Sequence, residues 1–191
     1  MSTEGNRARR RVRYRGFSLV ETAIFIAVVG IGLAGVLLAI TTATRDSVDP
    51  LIRKQAVAIA ESLLQEITSM PYTYCDPDDP AARTAANTAA CAVPEALGQE
   101  AGETRYGPAT PFDNVNDYHG YNTATEVPPG VKDINGTLIT GLSGYNAAVT
   151  VTPVVLSAAT ALLVTVTVTG PRNTVVNVDG YRAQYAPNAV P

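Results

Sequence analysis

A single carboxylate, Glu21, lies in a stretch that is otherwise uncharged from Phe17 to Thr44. In a membrane helix such a group costs about 2.5–3.5 kcal/mol at the bilayer centre and less near the interface, so it marks a functional site and needs a cationic partner. Two cysteines, Cys75 and Cys91, stand 16 positions apart in a polar, proline-rich segment, and two readings are open: free thiols, or one disulfide closing a short loop. From Phe112 to His119, oxygen-bearing side chains (Asp113, Asn114, Asn116, Asp117) recur in a way that suits calcium, but the glycine and distal Glu of an EF-hand loop are missing. An Asx-rich turn is the expected outcome there. His119, the single histidine, is expected as a surface or packing residue rather than a base, and Asp76, Asp78 and Asp79 as a solvated loop. There is no nucleophile motif, no phosphate-binding loop and no cluster with metal-ligand spacing. The expectation is therefore a chain with no catalytic residues, no cofactor and no metal.

The elements around these residues begin with the apolar run Ala23–Ile40. About 20 helical residues at 1.5 Å each match a hydrocarbon core of about 30 Å. Charge is unevenly placed: residues 1–16 carry six arginines against Glu4, a balance of +5, whereas the rest of the 191-residue chain is at −8. The arginine-rich flank stays cytoplasmic by the positive-inside rule, which sends the remainder outward. A cleavable secretory signal also has a basic start and an apolar core, but its core is usually shorter and an A-x-A-like site follows it. A plain signal anchor fits the length and leaves Glu21 unexplained. An outward, oxidising location favours a Cys75–Cys91 bridge, and a loop of that size stabilises by about 3 kcal/mol on the chain-entropy account. An acidic body argues against coating nucleic acid, which needs a basic face. Gly30, Gly32 and Gly35 are read equally well as ordinary membrane-helix glycines or as points of close helix approach.

Beyond the span, Asp49-Pro50 reads as a fresh helix start. Residues 51–69 place Leu51, Ala56, Ile59, Ala60, Leu63, Leu64 and Ile67 at helical spacing, with Arg53, Lys54, Glu61 and Glu66 on other faces. The long helix is expected to continue past the membrane with a bend or short break at Pro50, and Met70-Pro71 ends it. Residues 71–136 have the composition of turns and irregular loops, with a short helix over Ala85–Ala92. The last third alternates. Tyr145, Ala147, Val149 and Val151 share one parity, as do Leu162, Val164, Val166 and Val168, and Thr174–Gln184 follows the turn Gly170-Pro171-Arg172-Asn173. This predicts an antiparallel meander whose valine-rich face covers the helix stripe, with Gly136–Ile139 as a short edge strand. The fold class is α+β: a long N-terminal helix, transmembrane in its first half, packed on a C-terminal antiparallel sheet.

Gly16-Phe17-Ser18-Leu19-Val20-Glu21, followed by the long apolar run, resembles the class III signal of type IV pilins and type II secretion pseudopilins. The resemblance implies cleavage by a prepilin peptidase after Gly16, methylation of the new N-terminus at Phe17, and pairing of Glu21 with the N-terminal amine of a neighbouring subunit. Cleavage would expose the cation that this acid lacks, and pairing offsets its desolvation. The implied organisation is a prepilin leader over 1–16, a transmembrane and filament-core helix over 17–48, and a periplasmic globular domain over 49–191. That domain comprises helix 50–69, the disulfide loop 75–91 and a meander over about 145–184.

Three stretches are similar to minor pilins of the mannose-sensitive haemagglutinin type: Lys54-Gln55-Ala56 through Ile67 with Cys75–Asp79, Pro111–Tyr118, and Tyr181-Arg182. The function so implied is a minor pilin that enters a type IV pilus and contributes to its assembly or to adhesion. A separate possibility is carbohydrate or surface adhesion through Tyr106, Tyr118 and Tyr121, expected as exposed. Alternatives are a minor pseudopilin of type II secretion and, less in keeping with the residues, a membrane-anchored periplasmic enzyme or binding protein. Implied partners are other pilin subunits, the prepilin peptidase/N-methyltransferase and the inner-membrane pilus assembly machinery, with no nucleic acid. The implied location is the bacterial inner membrane, single-pass with the N-terminus in, and then a surface pilus or a periplasmic pseudopilus.

Overall fold

The computed structural model describes Gly16 and residues 18–190, and the side chains of 42–48 are not described. The leader up to Arg15 and Phe17 lie outside the described residues. The chain divides into two compact units between Ser47 and Val48. Helix α1 is assigned from Leu19 to Ser69. Its part in the first unit includes Leu19–Thr41, with mean hydropathy 2.8 and none of it buried. This is the one helix among the described residues long and apolar enough to cross a membrane. The expected fresh helix start at Asp49 is not formed: the helical assignment runs through Pro50. Proline removes one donor, yet its φ is helical. Asp49 instead pairs with Arg172, Oδ1 to Nη1 2.7 Å, an exposed contact worth little.

In the second unit the helix lies on a three-stranded antiparallel sheet in the order β1-β2-β3, with β1 over Asn146–Leu156, β2 over Ala159–Gly170 and β3 over Thr174–Ala183. The register pairs Ala147 with Val168, Val149 with Val166 and Val151 with Val164. These residues are buried while Thr150, Thr152 and Thr169 are exposed, so the alternation in the sequence is the alternation of the faces. The helix contributes Ile52, Ala56, Ala60, Leu63 and Ile67 to the same core. The stripe begins one residue later than expected: Ile52 is buried and Leu51 exposed. Small side chains at 56 and 60 let helix and sheet come close. On β3 the inward position opposite Val164 is Gly180, where an added Cβ would sit 3.0 Å from Leu64 Cδ1.

Sheet edge β1 is covered by the segment 119–123. Val151 N–H donates to His119 Nδ1 (3.1 Å), Val149 exchanges backbone bonds with Gly120 and Tyr121, and Ala147 N–H donates to Thr123 Oγ1 (2.9 Å). An edge so occupied cannot recruit a further strand there. His119 is thus a packing residue that caps a strand edge. The edge strand expected over Gly136–Ile139 is instead one isolated bridge, Lys132 to Leu138, around Asp133, whose Oδ1 accepts from the N–H groups of Asn135 and Thr137. An Asx turn satisfies those donors locally. The helix expected over Ala85–Ala92 is a single 3-10 turn, Thr88–Ala90, capped by Asn87. In a stretch pulled short by Cys91, one turn is what the side-chain cap supports.

The β1–β2 connection has two residues, Ser157 and Ala158, both with positive φ (48° and 74°). That is the backbone of a type I′ turn without its favoured Asn-Gly. Replacing the pair (Ser157→Asn with Ala158→Gly) relieves left-handed strain at Ala158. It is expected to add about 1 kcal/mol, or about 2–4 °C in thermal unfolding followed by circular dichroism. A lower melting point would contradict this turn geometry.

Candidate functional site

At the start of α1, Gly16 is exposed and non-helical, and Ser18 immediately precedes the first helical residue. Glu21 N–H donates to Ser18 Oγ (3.2 Å), and Thr22 N–H donates to Ser18 O (3.1 Å). Ser18 is therefore the N-cap and Glu21 the third helical residue, half of a capping box worth about 1 kcal/mol. The signal, Ser-x-x-Glu, stood in the sequence. A carboxylate in the first turn is also favoured by the helix macrodipole. Glu21 is exposed and belongs to none of the ion pairs among the described residues. A Cβ added at Gly30, Gly32 or Gly35 would meet nothing within 4 Å, so no packing among the described residues accounts for those glycines.

Cys75 and Cys91 are joined, with Cα atoms 5.4 Å apart, and no cysteine is free. Cys75 is fully buried. A short bridge ties the two arms of the loop: Asp76 N–H donates to Val93 O and Glu95 N–H to Tyr74 O, 3.1 Å each. Asp79 departs from the solvated-loop expectation. It is buried, its Oδ2 accepts from Val93 N–H (2.6 Å) and its Oδ1 from Ala81 N–H (2.7 Å). Those two donors hold its carboxyl below the usual range. The C-terminal tail closes on the loop, with Asn188 Nδ2 donating to Ala82 O and Ala85 O.

A second constellation was not foreseen. Glu66, expected on an outer helix face, receives both arms of Arg105, Nε to Oε1 2.7 Å and Nη2 to Oε2 2.6 Å. Tyr118 Oη donates to Glu66 Oε1 (2.8 Å) and Arg105 Nη1 donates to Tyr106 Oη (2.7 Å). Tyr106 and Tyr121 share a further bond at 2.8 Å, and Phe112, Tyr118 and Tyr121 meet edge to face. Burial works against the Arg105 charge, but the bond to Glu66, the Glu66 charge and the two tyrosines Tyr121 and Tyr106 together outweigh it, and its pKa is raised. This overturns the expectation of three exposed tyrosines. Tyr118 is 1% exposed, and Tyr106 and Tyr121 are half-buried and spent on the ion pair. An open cleft beside them is walled by two cations, Arg105 and Lys132, and both are paired, Lys132 with Glu126 at 2.7 Å.

The segment 112–119 does make Asx bonds, but from inside the fold: Asp117 Oδ2 accepts from the N–H groups of Asp113 (2.9 Å) and Asn114 (2.7 Å). Asp117 is 1% exposed. Carboxylate oxygens of Glu95, Glu100 and Asp117 lie within 4.8 Å of one another. Gly98, with φ +99°, supplies the left-handed turn that brings Glu95 and Glu100 back to one place, and its N–H donates to Asn116 O (3.0 Å). Desolvation and neighbouring carboxylates push Glu95 up to about 8 and Asp117 up to about 9. Glu103, where Oε2 accepts from Glu100 N–H, is pushed up to about 7 by burial first. Asp76, Asp78 and Asp113 form a second, more exposed acidic group.

Two outcomes follow from this geometry. Arg105→Ala leaves the half-buried Glu66 without its counter-charge and is expected to lower stability by about 3 kcal/mol in urea unfolding; an unchanged midpoint would contradict it. The raised acids bind protons in the fold that the unfolded chain has released. Their contribution is therefore most favourable below about pH 4 and is lost as pH rises towards 9, by about 1.4 kcal/mol per pH unit for each group still protonated only in the fold. In chelator, the melting temperature is expected to fall from pH 5 to pH 8; a rise would refute the burial of these acids. No protein-family model, curated protein or solved structure matches this chain.

Proposed function

We propose that this chain is a minor pilin-like filament subunit, cut between Gly16 and Phe17 and held in the inner membrane by its first helix before assembly. The observation that carries this reading is the character of Leu19–Thr41: apolar on every face, none of it buried by its own chain, with one carboxylate in its first turn. A helix of that kind is stable only among lipids or among other helices. Gly30, Gly32 and Gly35, unexplained by contacts among the described residues, suit close approach of neighbouring helices. The acid lies four positions after Phe17 in the sequence, so an amine created at Phe17 of a neighbouring copy would be a partner of matching charge near it. Cleavage would also convert a +5 leader plus a −8 body into an acidic subunit. The narrower reading, a mannose-sensitive haemagglutinin-type pilus, rests on the stretches around residues 54–79 and 111–118. A role in filament assembly fits better than adhesion through Tyr106, Tyr118 and Tyr121, because those rings are engaged internally.

In cells with a prepilin peptidase, the mature protein is expected to begin at Phe17 by intact-mass measurement, and a protein retaining Met1 would refute the reading. Glu21→Ala is expected to insert in the membrane normally and to be lost from the sheared-fibre fraction by at least tenfold. Normal incorporation would sink the pairing role. Recovery of the natural chain only in the periplasm, never with fibres, would assign it to a secretion pseudopilus instead.

A further inference from the structure

Around Glu95 and Asp117, each carboxylate is steered by one oxygen and leaves the other without a partner. Glu95 Oε2 accepts from Asn116 Nδ2 (2.6 Å), while Glu95 Oε1 is buried and unpaired. Asp117 Oδ2 takes the N–H groups of Asp113 and Asn114, while Oδ1 is buried and unpaired. Asn116, 3% exposed, repeats the arrangement: its Nδ2 is committed to Glu95 and to Ala96 O, which orients the amide, and its Oδ1 has no partner. A buried oxygen without a donor costs about 1–3 kcal/mol, and more when charged. Two of these oxygens belong to carboxylates that group with Glu100 within 4.8 Å, where one positive partner would answer both.

We propose that Glu95, Glu100 and Asp117, from the two loop segments 95–100 and 112–119, form a binding site for a divalent cation of the calcium class. The donors are all oxygen, with no imidazole or thiolate among them, which selects a hard ion over zinc. Two oxygens on opposite sides of a calcium ion are separated by about 4.6–5.2 Å, twice its metal–oxygen distance, and for magnesium by only about 4.2 Å. The three carboxylates already lie within the calcium span. Bonds from backbone N–H groups and Asn116 to the second oxygens orient the ligands, as outer-shell partners do at metal sites. The upward shifts of Glu95 and Asp117 come first from burial and then from neighbouring carboxylates, which agrees with acids gathered in one desolvated place. The site takes only Asp117 from the alternating Asp113–Asp117 run that invites an EF-hand comparison: Asp113 groups instead with Asp76 and Asp78, which show no buried unpaired oxygen. A bound ion would clamp the loop after the disulfide onto the segment that caps β1. The inference does not depend on the filament reading.

The chain has nine tyrosines and no tryptophan, and Tyr118 is the neighbour of Asp117, so a lanthanide in the site reports itself. With the full chain in detergent micelles at pH 7, tyrosine-sensitised terbium emission is expected to saturate at one equivalent and to be displaced by calcium. Glu95→Gln and Glu100→Gln are each expected to weaken binding at least tenfold, with Asp78→Asn binding as the natural chain does. Absence of saturable emission would overturn the site, as would loss of emission in Asp78→Asn or its retention in both Gln variants. A parallel melting series covers the case of misfolded variants. Calcium is expected to raise the melting temperature of the natural chain. If instead both Gln variants melt higher in chelator and calcium does nothing to the natural chain, the carboxyls share a proton and the proposal fails.

Discussion

The bidentate pair between Glu66 and Arg105 is the interaction on which the irregular half of the globular unit depends. Residues 71–136 contain no strand or helix longer than a single 3-10 turn, so beyond the bonds of segment 119–123 to the β1 edge no ladder fixes them in space. One ion pair, 8% and 19% exposed at its two side chains, ties that region to the last turn of the helix. Around it, Tyr106, Tyr118 and Tyr121 supply hydroxyls to the charges and ring edges to one another. A charge pair out of water is stabilising only when its remaining donors and acceptors are met, and here the tyrosines meet them. The same rings bring Phe112 and the segment after it under the loops, which is where Asp117 is buried.

Elsewhere the fold is held by ordinary apolar packing with two close approaches. Ala56 and Ala60 on the helix, and Gly180 on β3, keep the two layers near enough for valine and leucine side chains to interlock. At the helix end, Arg182 Nε donates to Met70 O (2.9 Å), satisfying a carbonyl that no helical N–H reaches. The disulfide then serves a region that the helix–sheet core does not cover. It closes a small cluster with Ala82 and Ala85 that the tail at Val190 packs against.

Much of this was legible in the residues. The period-two runs at 145–151 and 162–168 fell on the buried face as read, because one buried face of a sheet forces the parity. The helical stripe was readable to within one residue, its start shifting from Leu51 to Ile52. The cysteine pair was readable as a short loop. Less was legible where side chains act on distant backbone. Asp79 and Asp133 look like solvent-facing loop acids, yet Asp133 collects local N–H groups and Asp79, inside the fold, reaches Val93 N–H 14 positions on. Glu66 looks like the polar face of a helix, since nothing in sequence links it to Arg105, 39 positions on. Exposed aromatic residues were expected at 106, 118 and 121, and the ion pair drew them inward.

The sequence by itself determined the apolar helix with its lone acid, the Ser18–Glu21 spacing at its start, the valine faces of the meander and the separation of a basic N-terminal stretch from an acidic remainder. Those follow from periodicity and local charge, which need no partner far along the chain. Tertiary structure alone decided which acids are buried, which are paired and which converge. Glu95, Glu100 and Asp117 are brought together by a left-handed turn at Gly98 and by two buried Asx side chains, Asn116 and Asp117 itself. Their proximity is a property of three-dimensional closure, because a carboxylate's neighbours depend on how loops return and not on the order in which they occur.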